Sequence, residues 1–518
     1  MPITKEEFIF YGDDILIGSF PEQTRFLYAN PPLRPLADPS AAVRHALDNP
    51  VGARPLSGQV KSTDLVVIAF DDPCVPVPLP LNDPRGLVIR EILAVLHGKG
   101  VKDIRLLCAN GLHRKFSHAE LSSLLGRDII RQVGKNRVSC HDGTDRDNLV
   151  QLGLTSQGAT VEINRLAVEC DLLIYVNVNF TTMNGGWKSL LVGLGSWESI
   201  RHHHNPAIWS GTESLLDYSS SPMHAMLREM GLLTRRKVNL FQVECVINNR
   251  MWLPPADRLL APIQRRPGHR LPGRALRTIL SAASLLPAPI KSTARKMLKA
   301  NYQLAGVHAG DVSKVHEKTL EKLVRQQNVR VAGQSDIIVL GVPELSPYAV
   351  NSIQNPILMR SLALGYLAGA FCGRPLAKKG GIAIVSNPGL ERFSTRHHPS
   401  YLDFWNKELP VFFDPELAWN ALAEPYAQNP HYLKLYREHF AYHGTHSLMN
   451  WMWSGMALRH FSAVILAGAK QPQTACKLGF IPARNLDHAI SIALERKGRD
   501  ASLTYPVIPP LFAADLTE

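Results

Sequence analysis

The chain has 518 residues, with 57 Lys and Arg against 44 Asp and Glu, a formal charge of +13, 45% hydrophobic and 19% charged residues. This composition excludes disorder as the dominant state and predicts two or three packed domains. The charge favours anionic partners, and with no basic–aromatic module in view, small anions rank ahead of nucleic acid. Seven cysteines stand far apart, none at CxxC spacing, which leaves a zinc ribbon unsupported and fits a reduced, cytoplasmic setting. No apolar h-region and no bilayer-length apolar run is visible, so neither a signal peptide nor an integral membrane segment is expected.

In chain order, Asp64–Phe70 (DLVVIAF) reads as a buried strand ending in the turn signal Asp71-Asp72-Pro73. Gly86–Leu96 has helical apolar spacing. Ile104–Cys108 is a second strand, followed by the polar turn Ala109–Arg114 and a helix over Ser117–Leu125, with Ser117 and Glu120 at capping-box spacing. Thr160–Arg165 and Cys170–Val176 follow, the latter leading into a polar, glycine-paired loop, Asn177–Lys188. A helical stretch then ends at Arg201-His202-His203-His204, and Val238–Asn248 is a further strand. Strand, polar turn, helix, repeated, predicts an α/β fold with parallel-type sheets. Between Asp257 and Asp311 there is no acid, and Arg258–Lys299 is rich in Pro, Arg and Lys. Within it, Ala275–Leu286 has the pattern of an amphipathic helix. It is either a solvated linker face or a surface for membrane lipid or an acidic partner. Asp336–Gly341 and Gly380–Val385 open a second α/β region. The expected division is residues 1–250, a basic insertion or linker at 251–300, and 301–518, with a cleft between the two α/β domains.

Functional groups of parallel sheets collect on loops after strand C-termini. Three polar clusters sit there: Asp71-Asp72, Asn110–Arg114 and Asn177–Lys188. His113 in GLHR is either a general base beside the cationic fork of Arg114 or a loop histidine tied to backbone. Gly185-Gly186-Trp187-Lys188 is either a phosphate cradle or a glycine turn with a solvated lysine. At most two of His202, His203 and His204 point one way, as metal ligands or as a surface cluster. The aromatic run Met449–Trp453 reads as core or interface packing. A nucleophile elbow, HExxH and GxGxxG are absent from these junctions.

The order of these motifs resembles the nickel-pincer lactate racemase (LarA-like) family over most of residues 60–240 and, more weakly, 300–490. The resemblance rests on the acidic turn, GLHR, the stretch from His141-Asp142-Gly143 through Leu152-Gly153, Thr155, Gly158 and Val161 to Asn164, and Asn184–Lys188. It extends to Val192–Gly195 with Ile200, to His204 sixteen residues after Lys188, and to His308–Asp311 with His316. It implies a racemase or epimerase, an isomerase, or a related enzyme of one-faced hydride transfer, acting on a 2-hydroxy acid or similar small anionic hydroxy compound. The implied cofactor is a nickel-pincer nucleotide made by separate biosynthetic proteins. His204 would ligate nickel, and Lys188, with Asp72, Gly185 and Gly186, would hold the cofactor. His113 with Arg114 would act at the substrate, and Gln354 would bind it. The family's arginine after the acidic turn is Val75 here, its second catalytic histidine falls near Val178 and Asn179, with no histidine between Tyr175 and Lys188, and its C-terminal lysine falls at Ile357. These losses argue against lactate itself as substrate. They also leave open a catalytically diverged nucleotide- or metal-binding homologue. His202, His203 and Arg85 are the expected candidates to take over lost roles.

Overall fold

A computed structural model describes residues 4–211, 214–254 and 274–517. It is an α/β molecule with two main sheets. The first has the strand order Leu304–Gly310, Leu240–Ile247, Leu172–Asn179, Leu65–Asp71, Asp103–Ala109, Val138–Cys140. Every pair is parallel except the edge formed by Leu304–Gly310. The uninterrupted apolar runs fit this placement, because each central strand is covered on both faces. Along Leu65–Asp71, Val66, Ile68 and Phe70 join one core, while Val67 and Ala69 join the other. Ser117 and Glu120 make the expected capping box on helix His118–Leu125.

Chain order runs outward from Leu65–Asp71 through Asp103–Ala109 to Val138–Cys140. It then returns to the other side of the starting strand at Leu172–Asn179. Such a reversal opens a crevice at the carboxyl ends of the two strands that flank it. Asp71-Asp72 and Asn179 stand at this point. Leu172–Asn179 runs three residues further than the apolar pattern predicted, because Asn177 and Asn179 are buried strand residues satisfied by other side chains.

The second sheet orders Ile481–Ala483, Ala463–Ala467, Ala377–Ser386, Ser335–Pro343, Thr4–Gly12 and Asp14–Pro21, with Leu503–Pro506 and Arg25–Leu27 off this path. The sheets therefore divide the chain differently from the expected boundaries at 250 and 300. The first strands of the chain pair with the C-terminal half, and Leu304–Gly310 with helix Val312–Gln327 completes the N-terminal sheet. Local patterning carries no information on which sheet a strand joins. The expected amphipathic helix exists as Arg274–Ser284 and is followed by Ala288–Met297. Residues 255–273 of the basic stretch lie outside the described residues. One apolar core runs from Trp187 and Trp197 in the first half to Trp405 and Trp451 in the second, so the halves are packed together.

Candidate active site

At the crevice, Asp103–Ala109 runs into the turn that carries His113. Gly111 has φ +51°, and a Cβ there would lie 2.4 Å from the Val192 carbonyl, so only glycine lets this turn close on helix Gly186–Gly193. The second half clamps the same turn: Tyr436 Oη donates to Gly111 O at 2.8 Å, and the His443 amide donates to Leu112 O at 3.1 Å. His113 Nδ1 lies 2.8 Å from Asp72 Oδ2. Burial would raise the Asp72 carboxyl, but His113 and Cys74 hold it below its ordinary value. Asp71 is also buried, and its carboxyl is pushed up to about 7 despite Arg85, the Val178 amide and Tyr175. Among the described residues, ligand-type atoms of Asp72, Cys74 and His113 come within 4.8 Å of one another. The Cys74 thiol is pushed well up by burial beside Asp72, so this trio is an Asp–His dyad with a neutral thiol next to it.

The glycine loop after Leu172–Asn179 is built on a buried polar network. Glu244 Oε1 accepts from the Gly186 amide at 2.6 Å, and Oε2 contacts Asn179 Nδ2 at 3.2 Å and His316 Nδ1 at 3.1 Å. Gly185 has φ +100°, and a Cβ there would come within 2.7 Å of Asn179 and the His316 ring. This close packing aims Lys188 into the crevice, where Nζ donates to Asn184 Oδ1 at 3.0 Å. Burial lowers the Lys188 ammonium below its ordinary range, against the pull of Asp71 and Asp72. His204 caps helix Trp197–His203. Its Nδ1 lies 2.7 Å from His203 Nδ1. Burial, reinforced by Lys188 and His113, pushes the His204 imidazolium down to about 3, so the ring is neutral.

His113, Lys188 and His204 line one cavity. A fourth member, His446, comes from helix His446–Leu458 in the second half. Its Nδ1 is 2.6 Å from Tyr401 Oη, its ring stacks on Tyr442 at 4.5 Å, and it stands edge-on to His113 at 5.3 Å. Tyr348 and Tyr366, joined by a 2.7 Å hydroxyl contact, also line the cavity, with Met183, Trp209, Met449 and Trp453. Met449 and Trp453 thus wall the cavity, where the sequence suggested core or interface packing alone. Sequence reasoning missed His446 and the tyrosines, because they lie far along the chain and carry no local motif. The only signal was the density of His and Tyr between 397 and 446.

The comparisons fit this geometry. Residues 11–214 match the lactate racemase N-terminal domain. A lactate racemase of Lactiplantibacillus plantarum is 32% identical over 167 residues, 32% of this chain and 38% of that protein. One of Thermoanaerobacterium thermosaccharolyticum is 30% identical over 218 residues, 40% of this chain and 47% of that protein. The chain thus matches less than half the length of either curated relative. The lactate racemase apoprotein of T. thermosaccharolyticum superposes over 99% of this chain and 100% of its own, with a TM-score of 0.64 at 19% identity. A Thermotoga maritima protein superposes with a TM-score of 0.55 at 16% identity, over 94% of this chain. The shared fold therefore extends through the second half.

Within the matched residues 11–214, Asp72, His113, Lys188 and His204 converge, and Gly185 and Gly186 shape the loop that carries Lys188. Arg114 does not converge with them. Its guanidinium is buried, paired with Glu120 at 2.7 Å, bonded to Val350 O and laid over Phe116, so the expected anion fork is spent on holding the two halves together. Gln354 is buried with neither amide atom hydrogen-bonded, and it is not among the residues lining the cavity. The expected replacements do not serve either. Arg85 is fully buried and binds Asp83 and the carbonyls of Asp71 and Asp72. His202 lines a separate surface depression with Trp197 and Trp419, and the one hydrogen-bond partner of the buried His203 ring among the described residues is His204.

Proposed function

We propose that the protein is a LarA-like racemase or epimerase, an isomerase of 2-hydroxy acids or closely similar hydroxy compounds, with a nickel-pincer nucleotide as cofactor. The observation that carries this reading is the meeting of His113, Lys188, His204 and His446 in one cavity. The donor set fits the cofactor. His204 is a neutral imidazole whose Nδ1 is engaged by His203, so Nε2 is the atom left for nickel. Lys188, with its ammonium lowered by burial, is suited to hold the nucleotide covalently or by charge. When bound, the group supplies a reversible hydride acceptor for the substrate carbon.

The chain's own residues manage the proton. With Nδ1 on Asp72, His113 keeps Nε2 for the substrate hydroxyl, and Asp72 stabilises the imidazolium that forms. His446 keeps Nε2 in the same way, because Nδ1 is taken by Tyr401. We assign His446 the role that is vacant at Val178: one imidazole from each half of the molecule.

The substrate is not lactate itself. A carboxylate removed from water needs a cation, and no arginine lines this cavity among the described residues. Its walls of Met183, Trp209, Leu215, Met223, Met449 and Trp453 favour a larger apolar or aromatic substituent. The test is a panel of D- and L-2-hydroxy acids of increasing side-chain size, offered to cofactor-loaded protein, with chiral product analysis and α-deuterium tracking. Interconversion with retention of the α-deuterium supports the reading. Full cofactor loading without movement of any α-hydrogen favours the second reading, a binding homogue that has lost turnover, for which the loss at Val75, Val178 and Ile357 speaks.

A further inference from the structure

Residues 274–299 contain six Lys and Arg and no acid. Their two helices, Arg274–Ser284 and Ala288–Met297, lie against the N-terminal β-hairpin Thr4–Gly12 and Asp14–Pro21. Three of the six charges pair with acids of that β-hairpin. Arg277 pairs with Glu6, Lys291 with Asp14, and Arg295 with Asp13, the last two pairs largely shielded from solvent. Leu280 is the apolar anchor, packed with Phe8, Ile15 and Ile17.

The apolar side chains face outward. Ile279 is 58% exposed, Leu285 84%, Ile290 52% and Met297 74%. Of the fourteen exposed large hydrophobics among the described residues, six fall between Ile279 and Leu298, so the exposure is concentrated in this segment. A helix that ends its design in water does the reverse, with apolar groups inward and charges outward. Contiguous exposed apolar surface marks a binding face.

Charge selects the occupant. No acid is present in residues 274–299, Lys296 is exposed beside Met297, and the whole chain carries +13. A second copy would bring the same positive charge to the contact and be repelled. A bilayer with acidic headgroups supplies both an apolar layer and negative charge. We propose that this helical hairpin is a peripheral membrane-docking element that seats Ile279, Leu285, Ile290 and Met297 at the headgroup boundary of an anionic bilayer. No described helix is long and apolar enough to cross a membrane, so the contact is made at the surface.

The test is flotation of the full chain with phosphatidylcholine vesicles, alone or with a third of phosphatidylserine. The wild type is expected to float with the acidic vesicles and much less with neutral ones. The double variant Leu285→Ser, Met297→Ser is expected to lower the partition coefficient roughly tenfold. Both side chains are exposed, so an unchanged melting temperature is the control for folding. Lys296→Glu is expected to weaken binding to acidic vesicles alone. Failure of the wild type to float with acidic vesicles overturns the proposal, as does equal flotation by the double variant. A wild-type dimer that the double variant turns into a monomer also overturns it, in favour of a second copy on this face.

Discussion

In the proposed site His113 keeps one ring nitrogen for the substrate hydroxyl, and so does His446. The first is bound through Nδ1 to a carboxylate and the second through Nδ1 to a phenol. The partners differ in charge: His113 is held by a carboxylate, whereas burial, with His113 nearby, holds His446 well below its ordinary value and therefore neutral. His113→Asn is expected to cut turnover of the accepted substrate roughly 100- to 10,000-fold, the range of general acid–base groups, with nickel and cofactor content unchanged. His446→Asn is expected to fall in the same range, again with full loading. A His446 variant that turns over normally would remove its assigned role. The residues visible beforehand were those held by short motifs: His113 in GLHR, Lys188 after paired glycines, His204 in a histidine run. His446 was invisible because its partners, Tyr401, Tyr442 and His113, come together only in the folded chain. Arg114 was misread for the related reason that its partner Glu120 sits on the following helix, where it reads as a capping residue.

At the scale of elements, the glycine loop is where backbone conformation sets the chemistry. Gly185→Ala would put a Cβ within 2.7 Å of His316 at a φ that favours glycine, over a network anchored by the buried Glu244. The expected cost is about 1–3 kcal/mol. Because the loop aims Lys188, cofactor loading should fall more than stability does. Thermal melting and nickel content measured on the same preparation check this. The central strands and the first helices were legible because covered parallel strands are continuously apolar and the caps are local. Sheet membership was not legible. Thr4–Gly12 pairs with Ser335–Pro343 across more than three hundred residues, and its own pattern names no partner.

For the whole molecule, the most general consequence is acid sensitivity. His141 is fully buried between Gly195 O and Asn164, and its imidazolium is pushed down from 6.5 to about 4, chiefly by burial. His443 is pushed down to about 4 and His398 to about 3 for the same first reason. These groups are neutral in the folded chain and titrate near their ordinary value when it unfolds. The unfolded chain therefore binds more protons as pH falls below 6.5, and stability present above 6.5 is lost toward pH 4. Each such histidine contributes about 1.4 kcal/mol per pH unit within its window. Asp71 and Glu344, both raised to about 7 by burial, act in the opposite sense, since their protonated folded forms are lost as pH rises toward 7. The histidines outnumber them, so the melting temperature should drop as pH is lowered from 7 to 5. A flat profile would mean that the buried rings titrate near their ordinary value in the folded chain as well.

The central claim is that this fold gathers a nickel-pincer nucleotide at His204 and Lys188. The most direct measurement is nickel content together with intact mass, on protein co-expressed with the cofactor-making enzymes, for wild type and His204→Ala. The account predicts stoichiometric nickel and a nucleotide-sized adduct or releasable ligand in the wild type, with nickel lost in a folded His204→Ala variant. Folded wild type without nickel or nucleotide, or nickel retained in the variant, would contradict it.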